Sequence, residues 1–325
     1  MRAAWITSLD GPGSVTVRET GEPSADPAAV RIDVAAAGVT FPDVLLTRGA
    51  YQYKPELPFV PGAEVAGVVR TAPAGSGFAP GQRVAAFPSF GGFAEVVDVD
   101  PGRVFPLPDR LSFTEACALP MNYLTMHFAL TLRTRLLPGE TALVHGAAGG
   151  VGTAALQLLR AYGARSIAVV STEEKAAVAK TAGADEVVTA AAFREQVAAL
   201  TSGAGVDLVI DPVGGDRFTD SLRSLAAGGR LLVIGFAGGE IPQVRVNRLL
   251  LNNIGVLGVG WGAYASKHPE YPREQWIDLL PLLEAGQLVP PAVTVYPLAD
   301  AHAALTSLEQ RKIIGRAVLS LATGL

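Results

Sequence analysis

Along the first hundred residues apolar positions come in short runs, broken every few residues by Gly, Pro or a charge. SVTVRE, AVRIDVAAAG, EVAGVVRTA, QRVAAF and FAEVVDVD are examples. Runs of this length, rich in Val and bounded by turn residues, predict the short strands of a partly closed β lobe. The pattern changes near residue 112. Ser112 is a good helix N-cap, Glu115 follows three residues later, and apolar residues recur at helical spacing through ALPMNYLTMHFAL. From 140 to 260 two periods alternate. TALVH, ARSIAVVS, DEVVT, VDLVID, GRLLVIGF and NIGVLGV read as strands. Between them, VGTAALQLLRAYG predicts a helix with Val151, Ala155, Leu158, Leu159 and Tyr162 on its apolar face. TEEKAAVAKTAG predicts another, and further helical segments fall near 192–201 and 217–226.

Nearly all-apolar strands alternating with helices imply a parallel sheet covered on both faces. The class is therefore α/β, a doubly wound parallel sheet over 121–261 beside a mainly β lobe. After 261 a helix (REQWIDLLPLLEAG), a strand (AVTVYPL), a helix (DAHAALTSLEQ) and a closing strand (GRAVLSLA) follow. That return segment is expected to complete the first lobe, so one domain is read as 1–120 with 262–325. A chain of 325 residues suits two such cores.

Composition narrows the function classes. Net charge is −4, with no basic excess or long charge run, so no nucleic-acid partner is expected. The single cysteine, Cys117, excludes an intrachain disulfide. The start, MRAAWITSLDGPG, carries no apolar stretch of signal-peptide length, and no run approaches the ~18 apolar residues of a membrane span. The expectation is a cytoplasmic protein without a membrane partner.

HGAAGGVGTAA, residues 145–155, lies directly after a predicted strand and opens a predicted helix. In that context glycines three apart become informative. Gly146 permits the sharp turn out of the strand. Gly149 and Gly150 let backbone N–H groups approach a pyrophosphate, and Gly152 lets the helix pack closely. Gly146, Ala147, Ala148, Gly149, Gly150, Val151 and Gly152 are thus the expected phosphate-binding loop, with the helix N-terminus aimed at the anion. At the end of the second strand Ser171 stands where NAD-preferring folds carry an acid. Thr172 follows, and Lys175 is one turn further on. A hydroxyl beside a cation suits the 2′-phosphate of NADPH. The alternative is Ser171 as a helix cap and Lys175 as a solvated charge.

The layout and several motifs resemble the zinc-free quinone oxidoreductases of the medium-chain dehydrogenase/reductase superfamily. The matching stretches are AAGVTFPDVLLTRGAYQ, LPFVPGAEVAGVV, ALPMNYLTMHFAL, the glycine run, VIDPVGG and NRLLLNNIGVLGVGWGAY. The resemblance implies a GroES-like first lobe, a Rossmann second lobe, NADPH, and a homodimer or homotetramer. Zinc alcohol dehydrogenases of the superfamily carry a Cys, a Gly-His-Glu stretch and a later Cys. Here those places read Ala-Ala-Gly-Val-Thr and Pro61-Gly62-Ala63-Glu64. His127, His145, His268 and His302 are scattered, and no metal ligand set is expected.

The resemblance also places side chains near the reaction. Thr40 stands where relatives commonly carry Asn. Tyr51 matches a tyrosine at the pocket mouth able to donate a hydrogen bond or a proton, with Tyr53 the weaker candidate. Asp43 is close by, with a turn or capping role at least as well supported. Asn122 and Thr125 are expected to face the cofactor, Phe236 to line the nicotinamide ribose, and Trp261 and Tyr264 to close the pocket or to pack. Arg316 matches a basic residue aimed at the adenine ribose phosphate, whereas Ala190 replaces a frequent tyrosine. The reading is an NADPH-dependent, zinc-independent oxidoreductase passing hydride to a quinone or an α,β-unsaturated carbonyl. An enoyl-thioester reductase, with Arg48, Lys54 and Lys267 as loose anion contacts, and a non-catalytic NADPH-binding protein are the alternatives. NIGVLGVG is apolar and ends the predicted sheet, so a homodimer through the 254–260 edge is expected.

Overall fold

The computed structural model describes residues 1–321 and divides into two compact units. One comprises Met1–Met121, His268–Leu280 and Pro290–Leu325, the other Asn122–Lys267 and Pro281–Val289. Ala322, the last residue of the expected closing strand, and the rest of that lobe to 325 lie outside the described residues. The division falls inside one helix, Tyr271–Glu284, at Pro281. The return segment is therefore split, and Pro281–Val289 goes with the second unit.

In the first unit SVTVRE, as Val15–Glu19, pairs with Arg2–Ile6 in a two-stranded sheet, and the other Val-rich runs join a mixed sheet. Its order is Val293–Pro297, Arg316–Ser320, Val30–Val39, Glu64–Thr71, Arg83–Ala86, Val104–Pro106, and Val96–Val99 also pairs with Val30–Val39. All pairings are antiparallel except that of Val293–Pro297 with Arg316–Ser320. The last strand of the chain thus lies inside the sheet, between an N-terminal and a C-terminal neighbour. Ile32, Val34, Val65, Val84, Val104 and Leu319 form the core with Leu305 from the helix Ala301–Glu309.

The second unit is a six-stranded parallel sheet. Its order is Glu186–Thr189, Arg165–Val170, Thr141–Val144, Val206–Asp211, Leu225–Val233, Gly255–Gly258. In sequence order that is 3-2-1-4-5-6, the doubly wound dinucleotide arrangement, with its reversal beside the first strand. The helix Gly150–Ala161 differs from its expected one-sided pattern. Every residue from Gly152 to Leu159 is buried, including Gln157. Gln157 tolerates this because its amide is fully engaged: Tyr123 Oη donates to Oε1 at 3.0 Å, and Nε2 donates to the Val289 carbonyl at 2.9 Å.

Two helical boundaries also moved. The expected helix at 217–226 ends at Arg223, and Leu225 already belongs to a strand. The helical pattern expected from Ser112 through ALPMNYLTMHFAL breaks into Phe113–Ala116, Pro120–Phe128 and a π-helical turn Ala129–Arg133. Its start is as expected: Glu115 N donates to Ser112 Oγ at 3.3 Å and Ser112 N to Glu115 Oε2 at 2.8 Å. No helix among the described residues is long and apolar enough to cross a membrane.

Candidate functional site

The strand Thr141–Val144 delivers the chain to His145, whose ring is fully buried. Its Nε2 lies 2.8 Å from Ser221 Oγ, and its Nδ1 has no partner. Burial, with the nearby charge of Arg217, pushes the imidazole down to about 3, so it is neutral at physiological pH. His145 is a structural strand end. The next residue, Gly146, takes a positive φ of 59° to turn the chain, and Gly149 N donates back to its carbonyl at 2.9 Å. The helix Gly150–Ala161 then starts from Gly149 with no side-chain cap. Ala147 and Ala148 are buried beneath the turn, while Gly149 is exposed. Gly152 is required for close packing: a Cβ there would lie 2.3 Å from the Gly146 carbonyl oxygen and 2.6 Å from Ala147 Cα. An uncapped helix end behind an exposed glycine is a donor-rich cradle for a phosphate group.

Beyond the second strand, Arg165–Val170, the side chains of Ser171 and Lys175 come together. Lys175 Nζ donates to Ser171 Oγ at 3.4 Å. The helix cap is Thr172, whose Oγ1 accepts from Lys175 N at 3.3 Å. Ser171 is therefore not the cap that the alternative reading made it, and its hydroxyl is exposed beside an ammonium. Glu173 and Glu174 are also exposed, in the first turn of this helix.

Elsewhere in this unit, Asn122 and Thr125 share one side of the helix Pro120–Phe128. Asn122 is buried, and its amide nitrogen has no hydrogen-bond partner. An unpaired buried donor is costly unless a ligand meets it. Phe236 is 37% exposed in the loop after the strand Leu225–Val233, against Gly214. Asp211, not singled out in the sequence, is buried and shapes that neighbouring loop by accepting from Val213 N and Gly214 N at 2.9 Å. Burial raises its carboxyl, against those two bonds. Trp261 is buried, and Tyr264 lies against Phe128 at 5.1 Å, which gives both a packing role in this unit.

In the first unit the short helix Phe41–Thr47 carries Asp43 into the interior. Asp43 Oδ2 accepts from Thr40 N at 2.8 Å and from Thr40 Oγ1 at 2.6 Å, and Oδ1 accepts from Gly62 N at 3.1 Å. Burial raises the Asp43 carboxyl, opposed by these bonds and by Arg316. The Thr40 hydroxyl is thus already directed at an internal carboxylate. Tyr51 is half-buried nearby, and burial together with the Asp43 charge pushes its hydroxyl above the usual tyrosine value. Tyr53 is 60% exposed and stacks on Phe90.

Arg316 departs from its expected role. It is buried in the strand Arg316–Ser320, ion-paired to the fully buried Glu64. Glu64 Oε2 also accepts from Met121 N at 2.9 Å. Burial lowers the Arg316 guanidinium to about 10, with Asp43 opposing. A cation enclosed with two carboxylates in the first unit is an internal counter-ion, and the adenine phosphate role is corrected accordingly. The sequence shows only that a carboxylate opens the apolar run EVAGVV and an arginine opens RAVLS, two charges that each need a partner once buried.

Ala63 offers a buried methyl, Cys117 is buried with its thiol pushed up by desolvation, and Asp43 and Glu64 already have partners. Among the described residues no group of three or more His, Cys, Asp or Glu is placed to hold a metal.

The pairing of a 3-2-1-4-5-6 nucleotide sheet with a GroES-like β unit defines an oxidoreductase of the medium-chain dehydrogenase/reductase class. Residues 26–109 match the Alcohol dehydrogenase GroES-like domain, and residues 150–285 the family described as Zinc-binding dehydrogenase. Quinone oxidoreductase-like protein 2 of Rattus norvegicus is 38% identical over 324 residues, covering 98% of this chain and 92% of that protein. This chain belongs to the quinone oxidoreductase family. Among solved structures, a probable oxidoreductase from Mycobacterium abscessus is 45% identical, with a TM-score of 0.89 over 99% of each chain. The quinone oxidoreductase from Thermus thermophilus, solved also as its NADPH complex, is 39% identical, with a TM-score of 0.86 over 99% of this chain and 100% of that one.

Proposed function

We propose that the chain is an NADPH-dependent, zinc-independent oxidoreductase acting on a quinone or an α,β-unsaturated carbonyl. The observation that carries this reading is the juxtaposition of Lys175 Nζ with the exposed Ser171 hydroxyl, just beyond the strand next to the one that leads into the uncapped glycine turn. These features fit NADPH, as does the unpartnered buried amide of Asn122, and the Thermus relative is known as its NADPH complex. The loop Gly146–Gly152 would hold the pyrophosphate through its N–H groups, Ser171, Thr172 and Lys175 the 2′-phosphate, and Asn122, Thr125 and Phe236 the nicotinamide half.

Bound NADPH supplies the hydride. The chain's own residues orient, exclude water and manage a proton. With no Lewis acid from the donors present, the acceptor must already be electrophilic, which favours a quinone or an enone over a simple ketone or alcohol. Tyr51 holds a proton on Oη and is placed in this reading to donate it to the reduced acceptor. Thr40, its own proton turned to Asp43, positions rather than donates.

The test is steady-state NADPH oxidation with quinones, enones and enoyl thioesters, on protein stripped of metal. Turnover of a quinone or an enone above any thioester is the expected result. Preference for a thioester, or dependence on added zinc, would overturn the reading.

A further inference from the structure

We propose that the second unit carries an anion site separate from the glycine turn, built by Arg194, Arg223 and Arg248, for the phosphate group of a small molecule. The three arginines line one cavity of about 210 Å³. They come from three helices, Phe193–Leu200, Phe218–Arg223 and Asn247–Asn252. Leu222 and Ile254, both buried in the unit's core, form its floor with Leu225.

The charges do not balance. Asp220 Oδ1 lies 3.0 Å from Arg223 Nη1 and 3.8 Å from Arg194 Nη1, so one carboxylate serves two arginines. Among the described residues Arg248 has no carboxylate at ion-pair distance. Two positive charges remain uncompensated around a space of small-molecule size, and a dianion is the complement. Guanidinium is the side chain best suited to phosphate, through paired N–H donors. In a chain of net charge −4 such a surplus is local.

The walls are held before any ligand arrives. Ser221 is tied to His145 at 2.8 Å, Ser224 Oγ donates to the Asp220 carbonyl at 2.9 Å, and Val206 N donates to the Ser224 carbonyl at 2.8 Å. On the other wall Asn252 Nδ2 donates to the Arg248 carbonyl at 2.8 Å, and Asn253 turns the chain in the left-handed region toward Ile254. A backbone already fixed loses little freedom on binding.

The site is tested on protein saturated with NADPH, so that phosphate cannot occupy the glycine turn. The probes are inorganic phosphate and phenyl phosphate, followed by calorimetry at low ionic strength. Both are expected to bind and to weaken as salt rises. Tighter binding of phenyl phosphate identifies an organic phosphate, resting its ring on Leu222, Leu225 and Ile254; equal binding identifies the free anion. Arg223→Ala and Arg248→Ala are each expected to weaken phenyl phosphate at least tenfold while leaving NADPH affinity unchanged, which also reports an intact fold. No binding at tens of millimolar probe, or an affinity unaltered in the double variant, overturns the site.

Discussion

Tyr51 and Lys175 serve opposite ends of the proposed reaction, and single substitutions separate them. Tyr51→Phe removes one hydroxyl and little volume. It is expected to lower turnover about 10- to 100-fold, or roughly 1.4 to 2.7 kcal/mol, with NADPH affinity unchanged. Because burial and Asp43 both raise its hydroxyl, Tyr51 stays protonated at neutral and mildly alkaline pH. The pH–rate profile should therefore show no fall from this group until the pH passes the ordinary tyrosine value of about 10. Lys175→Ala should weaken NADPH about tenfold and leave NADH almost unchanged, since a half-exposed charged hydrogen bond is at the low end of about 1.5–3 kcal/mol. Titration of both cofactors checks this, and equal weakening would remove Lys175 from the phosphate site. Residue types were more legible in the sequence than their partners. Ser171 and Lys175 were placed by counting from the glycine turn. The pairing of Arg316 with Glu64 was not, because the two are separated by most of the chain and meet only when the strands Glu64–Thr71 and Arg316–Ser320 flank Val30–Val39. Thr40 likewise showed its hydroxyl in the sequence but not the direction of its proton.

At the scale of elements, the glycine turn is the most demanding piece of backbone. Gly152→Ala would drive a methyl into the Gly146 carbonyl, an atom that cannot rotate away. The turn must open, and the expected loss is about 1–3 kcal/mol of stability, with NADPH affinity falling more than Lys175→Ala alone would cause. Thermal unfolding and cofactor titration of the same variant measure both effects. The strands of both units were readable from runs of Val, Ile and Leu, because a buried strand has no polar alternation to obscure it. Helix limits were less so. Leu225 and Ala226 extend an apolar helical pattern past Arg223, yet the parallel pairing of Val206 with Leu225 claims them for the sheet. The one-sided stripe expected on Gly150–Ala161 was also too narrow, since Tyr123 and Val289 satisfy Gln157 and allow it to be buried.

The whole molecule carries two further expectations. Metal analysis after chelator-free purification should return no stoichiometric zinc, since Ala63 and the engaged carboxylates leave no ligand set. Zinc that survives dialysis would contradict this. The strand Gly255–Gly258 ends its sheet, paired on one side only with Leu225–Val233. Nearby, Val246, Leu250 and Leu251 are more than 70% exposed. An apolar edge of this kind invites pairing with a second copy about a two-fold axis. Light scattering should give a dimer at micromolar concentration, and a monomer at that concentration would exclude this interface.

The position of the strand Arg316–Ser320 has a consequence for the order of events on the ribosome. It lies one strand in from the edge of the first unit's sheet, between Val30–Val39 and Val293–Pro297. The strand Val30–Val39 must therefore wait for residues made long after it before its neighbour on that side is in place. The nucleotide unit, by contrast, has all of its strands by residue 258 and its final segment by Val289. Synthesis thus delivers a finished nucleotide fold inside an unfinished β unit whose Val-rich strands are left without their partner. A chain ending near residue 300 and released from the ribosome would be cut by protease within 1–120 and spared within 122–289. Extension of the chain through Ser320 would then protect 1–120 as well.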